Sequence, residues 1–134
     1  MKTRLIISAV SVLLMALACG ADKGEFAFKK ITDDHYRRVK GGLEFSVEDT
    51  VKWVYTFPAL KKERNVGVVV LKKELVWVDI ESRPERLSPG KNIIYGDTRD
   101  FDEGTYRIVI TEKNKKLDEI EFQVYREHDD LRYR

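Results

Sequence analysis

Side chains that could carry out catalysis are scarce in this 134-residue sequence. It contains one cysteine, Cys19, and two histidines, His35 and His128, which lie far apart along the chain. A zinc site needs several nitrogen or sulfur ligands, and covalent catalysis needs a nucleophile beside a base. The sequence also has no Gly-x-Ser-x-Gly motif and no phosphate-binding loop. We therefore predict neither an enzyme nor a bound cofactor.

Carboxylates are concentrated at several predicted turns, most densely between Asp97 and Glu103. Oxygen ligands of this kind suit a hard cation such as Ca²⁺. The same residue types are also typical of turns and of soluble surfaces, and no pattern in the sequence buries one chosen pair for acid–base chemistry. We favour turn formation and predict no metal site.

Cys19 is the most informative reactive group because of the residues that precede it. Lys2 and Arg4 form a basic start, and residues 5–18 form an apolar run that is too short for a permanent membrane helix. The junction Ala16-Leu17-Ala18-Cys19 resembles a bacterial lipobox, in which small residues precede a cysteine that becomes lipidated, although Ala16 departs from the commonest form. An ordinary secretion signal, with Cys19 left as a free thiol, is the alternative.

The lipobox resemblance implies a lipid-anchored protein of the bacterial cell envelope. The modified cysteine of such proteins becomes the new N-terminus and carries several acyl chains, which hold it at the membrane far more firmly than one chain. Residues 1–18 are then the signal peptide, and residues 19–24 carry the lipid and form a short, flexible tether. Gly20 follows the cysteine where many inner-membrane lipoproteins have aspartate, which favours the outer membrane.

A turn followed by a strand indicates the fold. In residues 101–110, Asp102 and Gly104 are turn residues, and apolar side chains then alternate from Tyr106 onwards. The Asp102-x-Gly104-x-Tyr106 pattern resembles the tyrosine corner of immunoglobulin-like sandwiches, in which the tyrosine hydroxyl bonds to the backbone a few residues upstream. Ile108 occupies the position of the antibody cysteine, so the disulfide form is excluded. A tyrosine that caps a simple hairpin is the alternative.

Period-two patterns predict the rest of the domain, residues 25–126. Eight short β segments without a convincing amphipathic helix predict an all-β fold, a single immunoglobulin-like antiparallel β-sandwich. The aromatic row in residues 50–57 is expected to form core rather than a carbohydrate platform. Residues 83–86 are expected to form a turn, and the polar tail, residues 127–134, is expected to fray.

Four residues are candidates for ligand contact. Trp77 is predicted to lie on the less buried face of its strand or beneath a neighbouring loop. Tyr36, Arg37 and Arg38 belong to a basic cluster that can bind phosphate or an anionic sugar. A solvated edge strand is the preferred interpretation of that cluster, because charge on an edge opposes aggregation.

The charge balance argues against one class of partner. The chain has 25 basic and 23 acidic residues, but Lys2 and Arg4 belong to the leader, so the rest is neutral. A nucleic-acid binder normally shows a basic excess, and we predict no nucleic-acid partner. The sequence instead predicts a non-catalytic, membrane-anchored module that binds a protein partner or takes part in assembly in the envelope. Glycan or small-ligand binding is the alternative function.

Overall fold

The computed structural model of the protein describes residues 23–39 and 42–127. Regular structure in these residues consists of β-strands, and they contain no helix capable of crossing a membrane. The strands are β1 (Glu25–Lys30), β2 (Arg37–Arg38), β3 (Leu43–Ser46), β4 (Val51–Thr56), β5 (Arg64–Lys73), β6 (Trp77–Leu87), β7 (Ile93–Asp97), β8 (Gly104–Glu112) and β9 (Lys115–Tyr125). The predicted signal peptide, Cys19 and nearly all of the predicted tail lie outside the described residues.

The strands form two sheets that pack together as an immunoglobulin-like β-sandwich. Sheet A has the order β2-β1-β4-β7, and sheet B has the order β3-β9-β8-β5-β6. Neighbouring strands are antiparallel except for β3 and β9, which are parallel. The predicted all-β fold is therefore confirmed, with one parallel pair that the sequence did not indicate. This pair arises because the chain crosses from sheet A to sheet B between β2 and β3.

The core lies between the two sheets and follows the period-two pattern of the strands. Val51, Trp53 and Tyr55 on β4 are at most 1% exposed, which confirms the aromatic row as core. On the facing sheet, Val68 and Ile108 are fully buried. Burial of apolar surface stabilises a fold by about 25 cal/mol per Å², so these large side chains carry much of the domain's stability.

The predicted turn at residues 83–86 is wrong, because these residues continue β6 along the edge of sheet B. Pro84 is tolerated there, since an edge strand has one side with no neighbour that requires an N–H donor. The strand is held at its far end by Leu87, which is fully buried. The basic cluster contributes a ninth strand, the two-residue β2, which pairs with β1 at the edge of sheet A.

A buried tyrosine fixes the start of β8. The Tyr106 hydroxyl donates a 2.7 Å hydrogen bond to the backbone carbonyl of Asp102, four residues upstream. Its ring is 1% exposed and stacks on Phe101 and Phe122, with centroid distances of 4.7 and 5.7 Å. A Cβ on Gly104 would lie 2.9 Å from Cε of Lys72, so the small residue makes room for that side chain. This geometry is that of a tyrosine corner.

Tyr106→Phe is expected to destabilise the protein by about 1–2 kcal/mol, because it leaves the partly buried carbonyl of Asp102 without its hydroxyl donor. Urea denaturation followed by tryptophan fluorescence measures the change. Tyr125→Phe is the matched control, since Tyr125 is 41% exposed and its hydroxyl makes no hydrogen bond within the described residues. Equal effects of the two substitutions would show that the corner hydrogen bond does not stabilise the fold.

Candidate functional site

The free edge of sheet B carries an exposed apolar surface. Among the described residues, β6 lies at this edge and pairs only with β5, through a hairpin whose tip is closed by a 2.9 Å bond from the Glu74 N–H to the Val76 carbonyl. The pairing register shifts between Val70 and Leu71, which leaves Ile80 as an extra residue in β6. A bulge of this kind bends an edge strand and increases its twist.

Four apolar side chains at this hairpin face solvent, and we call them the apolar tip. Leu75 is completely exposed, Val76 is 69% exposed, and Val78 and Ile80 are 42% and 46% exposed. Single exposed hydrophobic residues are common on proteins, but a contiguous group on a free strand edge is costly unless a partner covers it. The apolar tip is therefore the strongest candidate for a binding surface among the described residues.

The other half of β6 is protected. Glu81 and Glu85 accept hydrogen bonds of 2.6 and 3.0 Å from Arg83. Arg83 also donates to the carbonyl of Tyr95 on β7, so it closes the gap between the edges of the two sheets. Pro84 removes one backbone donor from the same stretch. Inward-facing charge, proline and β-bulges are the usual devices that block an edge, and of these the apolar tip has only the bulge at Ile80.

The opposite end of the sandwich holds the N-terminal segment in place. The Gly24 N–H donates a 2.7 Å hydrogen bond to the Tyr55 hydroxyl, which itself donates to Oδ2 of Asp118 at 3.1 Å. Lys23 adds an ion pair to Asp118 at 3.9 Å. A Cβ on Gly24 would lie 2.3 Å from the carbonyl oxygen of Thr56, so this close approach requires glycine. Lys23 and Gly24, at the end of the predicted tether, therefore pack against the β-sandwich.

Strand register gives the separation between this docking point and the apolar tip. Asp118 pairs with Ile110, and Ile110 pairs with Val68 on β5. About seven residues of extended chain then lead from Val68 to Leu75, which corresponds to roughly 20 Å along the strand direction. The N-terminal segment and the hairpin end of the apolar tip, Leu75 and Val76, therefore lie at opposite ends of sheet B, whereas Ile80 lies nearer its middle.

The buried tyrosines make stability depend on pH. Burial raises the pKa of Tyr55 well above its ordinary value, and a smaller contribution in the same direction comes from Asp118. Burial also raises the pKa of Tyr106. The folded state therefore keeps these protons above pH 10, where the unfolded chain releases them.

We expect the free energy of unfolding to be unaffected by these groups below pH 10 and to fall as the pH rises further. Each buried tyrosine contributes at most about 1.4 kcal/mol per pH unit. Urea titrations between pH 9 and 11.5 test this, and Tyr55→Phe is expected to give a shallower decline than the unmodified chain. If the free energy of unfolding falls with pH at the same rate in both proteins, Tyr55 does not contribute to this pH dependence.

The candidate Trp77 lies on the outer face of sheet B, where cations cover it. The Arg107 guanidinium is 4.0 Å from the ring centroid, and Lys73 Nζ is 5.9 Å from it. Arg107 is held in turn by a 2.9 Å hydrogen bond to Glu121. Trp77 is half-buried, and a ligand that stacks on the ring face covered by Arg107 would have to displace that guanidinium.

The other three ligand candidates lie near sheet A. Tyr36 contacts Lys29, with Nζ 5.0 Å from the ring centroid, and lines a cleft of about 580 Å³. Arg37 and Arg38 are exposed on β2, and Arg38 pairs with Glu25 at 3.1 Å. Trp77 is not among the residues that line the Tyr36 cleft, so the structure does not bring these candidates into one site. The described residues contain no cluster of carboxylate, histidine or cysteine side chains suited to a metal ion.

The sequence pattern did not predict the apolar tip, because residues 75–80 have the alternation of an ordinary half-buried strand. One signal was available. Asp79 and Glu81 interrupt the apolar residues, and central strands rarely carry unpaired carboxylates so close together. Such a pattern is typical of an edge.

Comparison with known proteins gives no functional assignment: no protein-family model matches the chain, and no curated protein is significantly similar to it. The surfaces described above are accordingly the basis for a functional proposal.

Proposed function

We propose that this protein is a non-catalytic interaction or assembly module of the bacterial cell envelope, lipid-anchored through Cys19 and facing a protein partner. The apolar tip on the free edge of β6 is the observation that carries this proposal. An exposed apolar group on an edge that lacks proline and inward-facing charge is characteristic of a protein-binding surface. The lipobox-like sequence before Cys19 supports the anchor, and Gly20 favours the outer membrane.

The two ends of the domain have different roles in this proposal. Lys23 and Gly24 are docked beside Asp118, so four peptide steps separate Cys19 from the body, a reach of roughly 14 Å. The docked end therefore stays close to the bilayer. The apolar tip, at the other end, points away from the membrane, which favours a protein over lipid as its partner.

Site-specific photocrosslinking in cells tests this function. A photoreactive amino acid at Val76 is expected to give a discrete crosslinked band in the membrane fraction. The same group at Gly90, in an exposed turn with open space around it, is the matched control. A pattern that is the same from both positions, or no crosslink from Val76, would contradict a partner at the apolar tip.

Ligand binding is the second candidate function, and the cleft near Tyr36 is the observation that favours it. Its lining combines aromatic side chains with charged groups, as in many sugar sites: Tyr36, Trp53, Tyr95, Lys52, Arg83 and Asp97. Trp53, however, is only 1% exposed, and Arg83 is already bonded to Glu81 and Glu85. Titration with a uronic-acid disaccharide, followed by tryptophan fluorescence and repeated with Tyr36→Ala, tests this function.

A further inference from the structure

We propose that the upper half of β6, residues 77–81, accepts an added β-strand from another protein, and that this strand alternates apolar and basic residues. The inference rests on the proposed interaction function and specifies its partner chemistry. The juxtaposition that carries it is a free backbone edge beside exposed apolar side chains and one unpaired carboxylate, Asp79.

The backbone of β6 favours strand addition at this half. An edge strand presents a row of N–H and C=O groups that another extended chain can pair with. Pro84 interrupts that row in the lower half, where the side chain of Arg83 also ties β6 to Tyr95 on β7. Residues 77–81 include no proline and lead directly into the exposed hairpin tip. An added strand can therefore pair with residues 77–79 and must follow the bend that the bulge at Ile80 introduces.

The side chains of residues 77–81 indicate which residue types the added strand should contain. Val78 and Ile80 are nearly half exposed, so apolar residues on the added strand would cover them. Asp79 is exposed, and the described residues place no cation within ion-pair distance of it. Lys73 lies diagonally across the β5–β6 pair from Asp79, with its Nζ 5.9 Å from the Trp77 ring centroid, and Arg107, one strand further away, is already paired with Glu121 at 2.9 Å. A lysine or arginine opposite Asp79 would supply the missing partner.

The same charges disfavour two registers in which a second copy of the chain could pair with this edge. Antiparallel self-pairing centred on Asp79 would place two aspartates opposite each other. Self-pairing centred on Ile80 would place Asp79 opposite Glu81. Like charges directly opposite one another destabilise a strand pair. A basic strand from a different protein avoids both clashes.

Peptide binding by the full chain in detergent solution tests the proposal. The probe is a fluorescein-labelled, end-blocked peptide of eight residues that alternates valine and lysine, and its binding is followed by fluorescence anisotropy. A peptide that alternates valine and glutamate is the charge control. Asp79→Lys is expected to weaken binding of the lysine peptide about fivefold and to strengthen binding of the glutamate peptide by a similar factor.

Glu44→Lys is the matched protein control. Glu44 is an exposed carboxylate on β3, the other edge strand of sheet B, and has no ion-pair partner in the described part of the chain. This variant is expected to bind both peptides within twofold of the unmodified protein. An equal response to the Glu44 and Asp79 substitutions would overturn the proposal, because it would show an effect of net charge alone.

Peptides methylated on alternate backbone nitrogens test pairing through the backbone. Methylation on the edge that faces β6 is expected to weaken binding at least tenfold, and methylation on the opposite edge is expected to leave it intact. Equal binding of both methylated peptides, or no binding of the lysine peptide at millimolar concentration, would overturn strand addition. So would a dimer in sedimentation velocity that Val78→Lys dissociates, because the second copy would then be the occupant.

The peptide-binding results can be interpreted whether or not the proposed envelope function is correct. The peptide assay reads only the edge of β6, whether or not Cys19 carries lipid. A chain that binds the peptide but gives no crosslink from Val76 in cells would retain the strand-accepting edge and lose the envelope partner. A crosslink from Val76 without peptide binding would support the envelope partner and contradict strand addition at β6.

Discussion

Gly96→Ala is expected to destabilise the protein by about 2–3 kcal/mol, a large effect for the addition of one methyl group. Gly96 lies opposite Trp53 in the β4–β7 pair, and a Cβ at this position would lie 2.2 Å from Cε2 of the indole and 2.5 Å from its Nε1. The indole is 1% exposed and packs against Phe26 on one side and the Arg83 guanidinium on another. The indole can relieve the clash only by moving away from these contacts.

Gly90→Ala separates this clash from the general effect of removing a glycine. Gly90 lies in a turn, and a Cβ there meets nothing within 4 Å. We expect its free energy of unfolding to stay within about 0.5 kcal/mol of the unmodified value. Urea denaturation, with fluorescence of the buried Trp53 as the main signal, measures both variants. A difference of less than about 0.5 kcal/mol between the unfolding free energies of the two variants would show that β7 can shift to accommodate a methyl group at residue 96.

Cys19→Ala is expected to release the protein almost completely from the membrane fraction. Each buried CH₂ of an acyl chain contributes about 0.8 kcal/mol to membrane binding, and several chains together make detachment negligible. The described domain offers no membrane-spanning helix to compensate for their loss. Fractionation of cells labelled with an alkyne-tagged fatty acid measures both the location of the protein and its modification.

Leu75→Ser is the control for that experiment, since it removes the most exposed apolar side chain at the far end and leaves the predicted anchor unchanged. It is expected to remain labelled and membrane-bound. Loss of membrane binding with Leu75→Ser, together with retention of Cys19→Ala, would place the membrane contact at the apolar tip and reverse the proposed orientation. Absence of label from the unmodified chain would exclude the lipid anchor.

The fold was predictable where local pattern and burial agree. The alternation of Val51, Trp53 and Tyr55 identified a core strand without further information. The spacing from Asp102 to Tyr106 specified a hydrogen bond that the structure shows at 2.7 Å. These features depend on residues close together in sequence, so periodicity and turn chemistry are sufficient to indicate them.

The edges were not predictable, because they depend on which strands lack a neighbour. Residues 83–86 have turn-forming composition, yet they extend β6, since Arg83 finds partners on its own strand and on β7. The alternating residues from Val76 to Ile80 match those of a covered strand, and only the sheet order shows that nothing described covers them. The contact between Trp77 and Arg107 joins residues thirty positions apart, and no local sequence pattern indicates it.

The pairing of β9 has a consequence for biogenesis. β9 is the last strand among the described residues, yet it is the partner of β3 near the start of the domain, and its Asp118 completes the contact that holds Gly24. Contacts between such distant parts of a sequence form late and slow the folding reaction. An exported chain enters the secretion channel from its N-terminus, so the sandwich cannot close until β9 has passed through. We expect a chain exported as proposed above to travel unfolded and to resist envelope proteases only after β9 has arrived.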